Sequence, residues 1–161
     1  MLILGTCNPP GEGDLYNGLY LKSNEIKQVV DNREMIDIPV KTEHSGQDIG
    51  KVVSTFLNDQ GKLQCLMEID EANLNGSLAA GFVRDNIASD LSLGYSVDVK
   101  NSGNNKLRAG QKRVLEVSLV RKGAREGCHI LAYQDKGKDV VHIKQQEETA
   151  SCWDTYFSLP Q

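Results

Sequence analysis

The stretch Ser89-Asp90-Leu91-Ser92-Leu93-Gly94-Tyr95-Ser96 holds three serines within eight residues, with apolar side chains between them. Alternate side chains of a β-strand lie on opposite faces, so this pattern predicts one apolar face and one face with Ser92, Gly94 and Ser96. Gly94 has no side chain, which predicts open space beside Ser92 for a substrate backbone. A serine-rich strand is also typical of the wet face of a sheet, so the pattern alone leaves both interpretations open.

A serine hydroxyl is a weak nucleophile unless a base takes its proton, a third group orients that base and donors bind the oxyanion. The chain contains only three histidines, His44, His129 and His142. His44 precedes a Ser-Gly turn, where an imidazole could be the base or simply be solvated, and the other two are expected to have no chemical role. Glu116 lies in an apolar strand pattern and is either the group that orients the base or a surface charge paired with an arginine.

Composition limits the classes of protein to which the chain can belong. Its 161 residues predict one domain, and a hydrophobic share of 39% is sufficient for a core. The net charge of −4, without a dense basic cluster, disfavours nucleic-acid binding. No apolar run approaches the roughly 20 residues that span a bilayer, so no membrane partner is expected. The start, Met1 to Cys7, is predicted to be a strand rather than a signal peptide.

The cysteines indicate an intracellular protein without a metal site. Four of them, Cys7, Cys65, Cys128 and Cys152, are scattered without CxxC spacing. In the absence of a secretion signal, we expect reduced thiols and neither metal nor cofactor.

Short alternating segments separated by Gly- and Asn-rich turns predict many strands. The expected fold is α+β, a mostly antiparallel closed β-barrel with a few flanking helices. Leu74, Leu78 and Phe82 recur every four residues and predict one of these helices before the serine strand. Residues 1–145 are predicted to form the barrel domain, and residues 146–161 a C-terminal tail that could be a processing segment.

Four short segments follow one another in a fixed order: Pro39, His44, Gly50 and Val52; then Ser92-Leu93-Gly94-Tyr95; then Glu116-Val117-Ser118-Leu119; then Gly123-Ala124-Arg125. In this order and spacing the chain resembles the herpesvirus capsid-maturation proteases, the assemblins, and the related prohead proteases of tailed phages. The likeness spans roughly residues 15–131. Assemblins of the familiar type have a second histidine as the third residue, whereas the phage enzymes have an acidic residue, so both branches stay open.

The resemblance implies a role for each matched residue. Ser92 would be the nucleophile, His44 the general base and Glu116 the third catalytic residue. The loop Gly123-Ala124-Arg125 would form the oxyanion hole. Alanine replaces the first of the paired arginines of the family, so the backbone N–H of Ala124 would be the first donor, assisted by Arg125.

The resemblance also implies a serine endopeptidase that cleaves the scaffold protein, and itself, during capsid or prohead maturation. Ala150-Ser151 is a possible self-cleavage site, although Ala88-Ser89 shows that this dipeptide also arises by chance. Such enzymes act as homodimers. The interface here would be either the helix before the serine strand or the aromatic tail, which contains Trp153, Tyr156 and Phe157. The expected location is the interior of the immature capsid, in the host nucleus for a herpesvirus or the cytoplasm for a phage.

Three alternatives stay open from the sequence. Ser89 and Ser96 are rival nucleophiles, although the position before Leu-Gly-aromatic favours Ser92. The chain could also be a non-catalytic barrel module for scaffold binding and assembly. An esterase of unrelated fold ranks last, since the chain has no Gly-x-Ser-x-Gly motif.

Overall fold

The computed structural model describes residues 1–8, 21–101, 103 and 107–143. Over these residues the elements run in the order β1 (Leu2–Asn8), α1 (Ser23–Asp31), β2 (Pro39–Thr42), β3 (Ser45–Leu57), β4 (Leu63–Ile69), α2 (Leu74–Arg84), β5 (Asp90–Asn101), β6 (Leu107–Val120), β7 (Ile130–Gln134) and β8 (Val140–His142). The tail at 146–161, with Ala150 and Ser151, lies outside the described residues, so the two-part division of the chain stays a prediction.

The described strands form one mixed sheet in the order β5-β6-β2-β3-β4-β1-β7-β8. β2 and β6 are parallel neighbours, and the other pairs are antiparallel. The expectation of a closed β-barrel is wrong, because the sheet stays open with β5 and β8 at its edges. Side-chain alternation identifies strands and hairpins, but closure depends on pairing between edge strands that are distant in sequence, which alternation does not specify.

β5 is an edge strand of the sheet, but its first residues also contact the segment that leads into β7 through an isolated bridge, which does not close the sheet. The N–H of Leu91 donates to the carbonyl of Cys128 over 2.8 Å, and the N–H of Ile130 donates to the carbonyl of Ser89 over 2.9 Å. A single bridge between Asp90 and His129 accompanies these bonds. This contact holds the start of β5, and therefore Ser92, in a fixed position.

Both helices cover one face of the sheet, where the larger core lies. Buried residues of α1 and α2 in this core are Ile26, Val29, Ala79, Ala80 and Val83. A smaller cluster consists of Leu4, Leu66, Leu131 and Ala132. No helix in the described part of the chain is long and apolar enough to span a membrane.

The predicted helix is present as α2, but its small residues, rather than its large ones, pack inward. Leu74, Leu78 and Phe82 are 74%, 52% and 44% exposed. The buried face contains Gly76, where a Cβ atom would lie 1.9 Å from the carbonyl oxygen of Asp70. The close approach of helix and loop therefore requires glycine and directs the large apolar side chains outward.

Candidate active site

His44 lies in a two-residue turn between β2 and β3. Thr42 pairs with Ser45 across this hairpin, and the two turn residues, Glu43 and His44, have φ values of 47° and 57°. Two successive left-handed residues are the geometry of a type I′ hairpin turn, which usually has Asn or Gly at these positions. The left-handed conformation costs roughly 1–2 kcal/mol for a residue with a Cβ atom, so other contacts must hold this turn.

Three hydrogen bonds anchor the turn to β6 and the residue after it. The N–H of Glu43 donates to the carbonyl of Leu119 over 3.2 Å, and the N–H of His44 donates to Oγ of Ser118 over 2.9 Å. Oε1 of Glu43 accepts from the N–H of Arg121 over 3.0 Å. These bonds are possible because β2 runs parallel to β6, which places the end of β2 beside Leu119.

The register of β5 and β6 brings the other polar residues under the turn. Ser92 pairs with Ser118, and Gly94 pairs with Glu116. Directly opposite residues of an antiparallel pair have side chains on the same face. The carboxylate of Glu116 and the hydroxyl of Ser92 therefore lie on one face, beneath the imidazole of His44.

His44 connects Ser92 to Glu116 through its two ring nitrogens. Nε2 lies 2.7 Å from Oγ of Ser92, and Nδ1 forms a hydrogen bond with Oε1 of Glu116. If Nδ1–H donates to the carboxylate, Nε2 is left as the acceptor for the serine hydroxyl. The His44 side chain is 43% exposed and that of Glu116 is 11% exposed, so the imidazole links a buried carboxylate to the surface of the site.

Gly94 makes room for the Glu116 side chain. A Cβ atom on Gly94 would lie 2.1 Å from Oε1 of Glu116. The side-chain position that Gly94 leaves free holds the carboxylate of the chain itself, while Gly94 also lines the cavity beside Ser92.

A cavity of about 300 Å³ opens beside Ser92. It is lined by residues of β1, the His44 turn, β5 and the loop after β6, namely Cys7, Asn8, His44, Leu91, Ser92, Leu93, Gly94, Tyr95, Ala124, Arg125 and Cys128. The hydroxyl of Ser92 and the ring of His44 are therefore accessible from a space that can receive part of a ligand.

The loop after β6 places Ala124 and Arg125 at the cavity, while Gly123 lies against β5. A Cβ atom on Gly123 would lie 3.0 Å from the carbonyl oxygen of Leu91. The N–H of Gly123 donates to Oδ2 of Asp90 over 2.8 Å, so this amide is engaged within the protein. Nη2 of Arg125 lies 3.3 Å from the hydroxyl oxygen of Tyr95.

Asp90 connects this loop to His129. Its Oδ1 lies 2.8 Å from Nδ1 of His129, while Oδ2 accepts from Gly123. Sequence reasoning missed this carboxylate, although its place two residues before Ser92 in a strand puts the two side chains on one face. His129, expected to have no chemical role, is the partner of Asp90.

The structure separates the three serines of the opening stretch. Of these three serines, Ser92 is the one whose hydroxyl is hydrogen bonded to the His44 ring. The hydroxyl of Ser89 donates to the carbonyl of Arg121 over 3.1 Å. Ser96 is exposed further along β5 and is absent from the cavity lining.

Two cysteines at the cavity are poor candidates for a nucleophile. Burial, together with the neighbouring Cys65 thiol, raises the pKa of Cys7 well above its usual value. Burial also raises the pKa of Cys128 to about 12, and its thiol donates to the carbonyl of Cys7 over 3.3 Å. Since the thiolate is the reactive form, both groups are protonated and weakly nucleophilic near neutral pH.

Ser118 is a further residue of the site; it lies in one of the four quoted segments, but the sequence assigned it no role. It is 0% exposed, and its hydroxyl donates to Oε2 of Glu116 over 2.7 Å. The signal was the two-residue spacing of Glu116 and Ser118, which places both on one strand face.

Comparison with solved structures identifies the fold. The crystal structure of the KSHV protease in complex with a hexapeptide phosphonate inhibitor matches with a TM-score of 0.55 and 19% identity, covering 83% of this chain and 65% of that chain. A room-temperature structure of the Kaposi's sarcoma-associated herpesvirus protease with an allosteric inhibitor matches with a TM-score of 0.50 and 18% identity, covering 84% of this chain and 78% of that one.

The chain has a herpesvirus protease-like fold. It spans 65% of the length of the inhibitor-bound protease chain. No protein-family model and no curated protein sequence matches it.

Proposed function

We propose that this chain is a serine endopeptidase that cleaves the scaffold protein during viral capsid or prohead maturation. The observation that carries the proposal is the hydrogen-bonded series from Ser92 through His44 to Glu116 at the edge of a cavity. A hydroxyl, an imidazole and a carboxylate within hydrogen-bond reach are the parts that acyl transfer requires. The resemblance of four ordered segments to the capsid-maturation proteases, and the herpesvirus protease-like fold, support the same reading.

In the proposed reaction Oγ of Ser92 attacks the scissile carbonyl carbon while its proton passes to Nε2 of His44. Glu116 accepts the Nδ1–H bond and balances the positive charge that forms on the imidazole. As the tetrahedral intermediate collapses, His44 returns the proton to the leaving amine, and an acyl-serine remains. Water then attacks this ester with His44 again as the base, which releases the acid and restores the hydroxyl.

The oxyanion is proposed to bind at the loop of Gly123, Ala124 and Arg125. Because the N–H of Gly123 donates to Asp90, the backbone amide of Ala124 is the preferred donor, with Arg125 assisting. Gly123 contributes by letting the loop approach β5 closely. One oxyanion donor is typically worth about 2.7–4 kcal/mol of transition-state stabilisation.

A homodimer through the exposed face of α2 is part of the proposal. Leu74, Leu78 and Phe82 form an apolar stripe there, and no charged residue occurs between Leu74 and Val83. A two-fold contact places the same patch on both sides of the interface, so a face without charges avoids like-charge repulsion. The alternative interface, the aromatic tail, lies outside the described residues.

Self-cleavage after Ala150 stays a proposal on a segment outside the described residues. The other Ala-Ser pair is an unsuitable site, because Ala88 is buried and both backbone polar groups of Ser89 are hydrogen bonded. Mass spectrometry of active protein tests the proposal, since an intact chain beyond Ala150 contradicts it. The proposed place of action is the interior of the immature capsid, in the host nucleus for a herpesvirus or the cytoplasm for a phage.

The decisive experiment compares Ser92→Ala with Ser96→Ala, a matched change four residues along the same strand. Each protein is incubated with its natural scaffold, and cleavage is followed on a gel, in parallel with labelling by a fluorophosphonate probe. We expect Ser92→Ala to lose scaffold cleavage, by at least about 10⁴-fold, and to lose labelling by the probe, while Ser96→Ala keeps both. Absence of labelling and cleavage in the unmodified chain at high protein concentration contradicts the proposal and favours a non-catalytic scaffold-binding module.

A further inference from the structure

The hydroxyl of Ser118 makes two hydrogen bonds whose direction is fixed by chemistry. A backbone N–H can only donate, so the Ser118 oxygen accepts from the N–H of His44 over 2.9 Å. The single hydroxyl proton is then directed at Oε2 of Glu116, 2.7 Å away. The side chain is fully buried, so neither bond competes with bulk water.

These bonds complete a closed ring of contacts around His44. The ring runs from the His44 side chain to Glu116, from Glu116 to Ser118, and from Ser118 to the backbone N–H of His44. It therefore holds the imidazole at Nδ1 and holds the backbone of the same residue. It also fixes both oxygens of the carboxylate, Oε1 on the imidazole and Oε2 on Ser118.

The backbone at His44 needs such an anchor. Its φ of 57° follows a φ of 47° at Glu43, and neither residue is glycine or asparagine. Without the Ser118 hydroxyl, the N–H of His44 would lose its acceptor, and relaxation of the turn would move the imidazole away from Ser92. A displacement of about 1 Å in a catalytic group can reduce a rate by about 10²-fold.

We propose that Ser118 is a positioning residue that holds both the backbone of His44 and the carboxylate of Glu116 in their productive geometry. This inference rests on the proposed peptidase function for its kinetic consequences. Ser118 is absent from the cavity lining, so it acts on the reaction through His44 and Glu116 rather than through the substrate.

The test compares Ser118→Ala with Ser118→Thr, which keeps the hydroxyl. We expect Ser118→Ala to lower kcat by about 10- to 100-fold with KM within twofold, and Ser118→Thr to recover most of kcat. Thr6→Val is the control for loss of a buried hydroxyl elsewhere in the sheet. It should leave kcat within twofold, although its loss of stability is similar to that of Ser118→Ala. A kcat for Ser118→Ala within twofold of the parent overturns the proposal.

A spectroscopic readout separates this inference from the proposed function. The Nδ1–H proton of His44, bonded to a carboxylate, gives a downfield proton resonance that needs no substrate. We expect this resonance in the parent and in Ser118→Thr, and its loss in Ser118→Ala.

A parent without peptidase activity contradicts the proposed function alone, whereas a resonance that is unchanged in Ser118→Ala overturns the role of Ser118. If Ser118→Ala does not fold, a Ser118→Thr protein that folds but has lost the resonance overturns it.

Discussion

The carboxylate of Glu116 occupies the place that a side chain on Gly94 would take: a Cβ atom on Gly94 would lie 2.1 Å from Oε1 of Glu116. These two residues are directly paired across β5 and β6. The same oxygen bonds to His44, whose other ring nitrogen contacts Ser92. The absence of one side chain in the serine strand is therefore what allows the carboxylate to reach the imidazole.

Gly94→Ala is expected to abolish the proposed peptidase activity while the chain stays folded. The new methyl group occupies the position of the Glu116 carboxylate and moves it away from His44. The measurements are scaffold cleavage and fluorophosphonate labelling, with circular dichroism to monitor the fold. Gly81→Ala is the control, because a Cβ atom there meets nothing within 4 Å and alanine favours a helix. Full activity in Gly94→Ala contradicts a role for the Glu116 contact.

Glu116→Gln is expected to lower kcat by about 10⁴-fold at neutral pH. The amide keeps the size of the side chain but lacks the negative charge that stabilises the imidazolium, and its NH₂ group favours the wrong imidazole tautomer. Steady-state cleavage of a peptide that spans the scaffold site measures the effect. Glu126→Gln removes the same charge from an exposed residue of the loop after β6 and should leave kcat within twofold. Similar rates for the two variants would argue against the assigned role.

Asp90→Ala is expected to lower kcat by about 10²-fold, the size of effect seen when an oxyanion donor is lost. Asp90 accepts from both Gly123 and His129, so its removal frees the loop that carries Ala124. His129→Gln, which leaves the Asp90–Gly123 bond available, should have a smaller effect. Asp85→Ala, in an exposed position after α2, serves as the control. If kcat in Asp90→Ala equals that of the control, the loop does not depend on this carboxylate.

The sequence was sufficient for the local features of the site and insufficient for their connection. Ser92, His44 and Glu116 could each be selected by residue type, strand pattern and order along the chain, and the structure brings these three together. Ser118 was not selected, because its importance depends on the parallel pairing of β2 with β6, a contact between segments about 75 residues apart. Local alternation carries no information on such a pairing.

The errors in the predicted fold also come from contacts that local sequence patterns do not specify. Alternation correctly predicted strands but not how the edges of the sheet are arranged, so the closed barrel was wrong. In α2 the four-residue apolar repeat predicted the helix, yet its buried face consists of Gly76, Ala79, Ala80 and Val83. Helix and core approach too closely there for large side chains, which is a tertiary constraint that periodicity does not reveal.

Leu78→Glu is expected to raise the dimer dissociation constant by at least about 10-fold, because it buries a charge at the centre of the proposed two-fold contact. Leu78 lies between Leu74 and Phe82 on the exposed face of α2. Sedimentation velocity over a concentration series measures the change. Val141→Glu, on the exposed β8 strand, introduces the same charge away from α2 and should leave association unaltered. An unchanged dissociation constant for Leu78→Glu, or a parent that is monomeric throughout, contradicts the proposed interface.

Arg84→Met is expected to lower the free energy of unfolding by about 1 kcal/mol at pH 7, and less in acid. Arg84, 36% exposed, donates to Asp135 over 2.6 Å and also bonds Glu71. The bond from Arg84 lowers the pKa of Asp135. For Glu71, burial raises the pKa, but hydrogen bonds from Arg84 and the terminal ammonium outweigh it, so the net shift is downward.

A carboxyl whose folded pKa is lowered stabilises the protein above its unfolded pKa, and that contribution disappears as the pH falls through the folded value. The difference between the parent and Arg84→Met should therefore be full at pH 7 and shrink below about pH 4. Urea unfolding at a series of pH values measures it. Lys27→Met, which removes one partner of an exposed helical ion pair with Asp31, should change stability by less than about 0.5 kcal/mol at either pH. A difference for Arg84→Met that is the same at pH 3 and pH 7 would show that the loss comes from packing rather than from these two carboxylates.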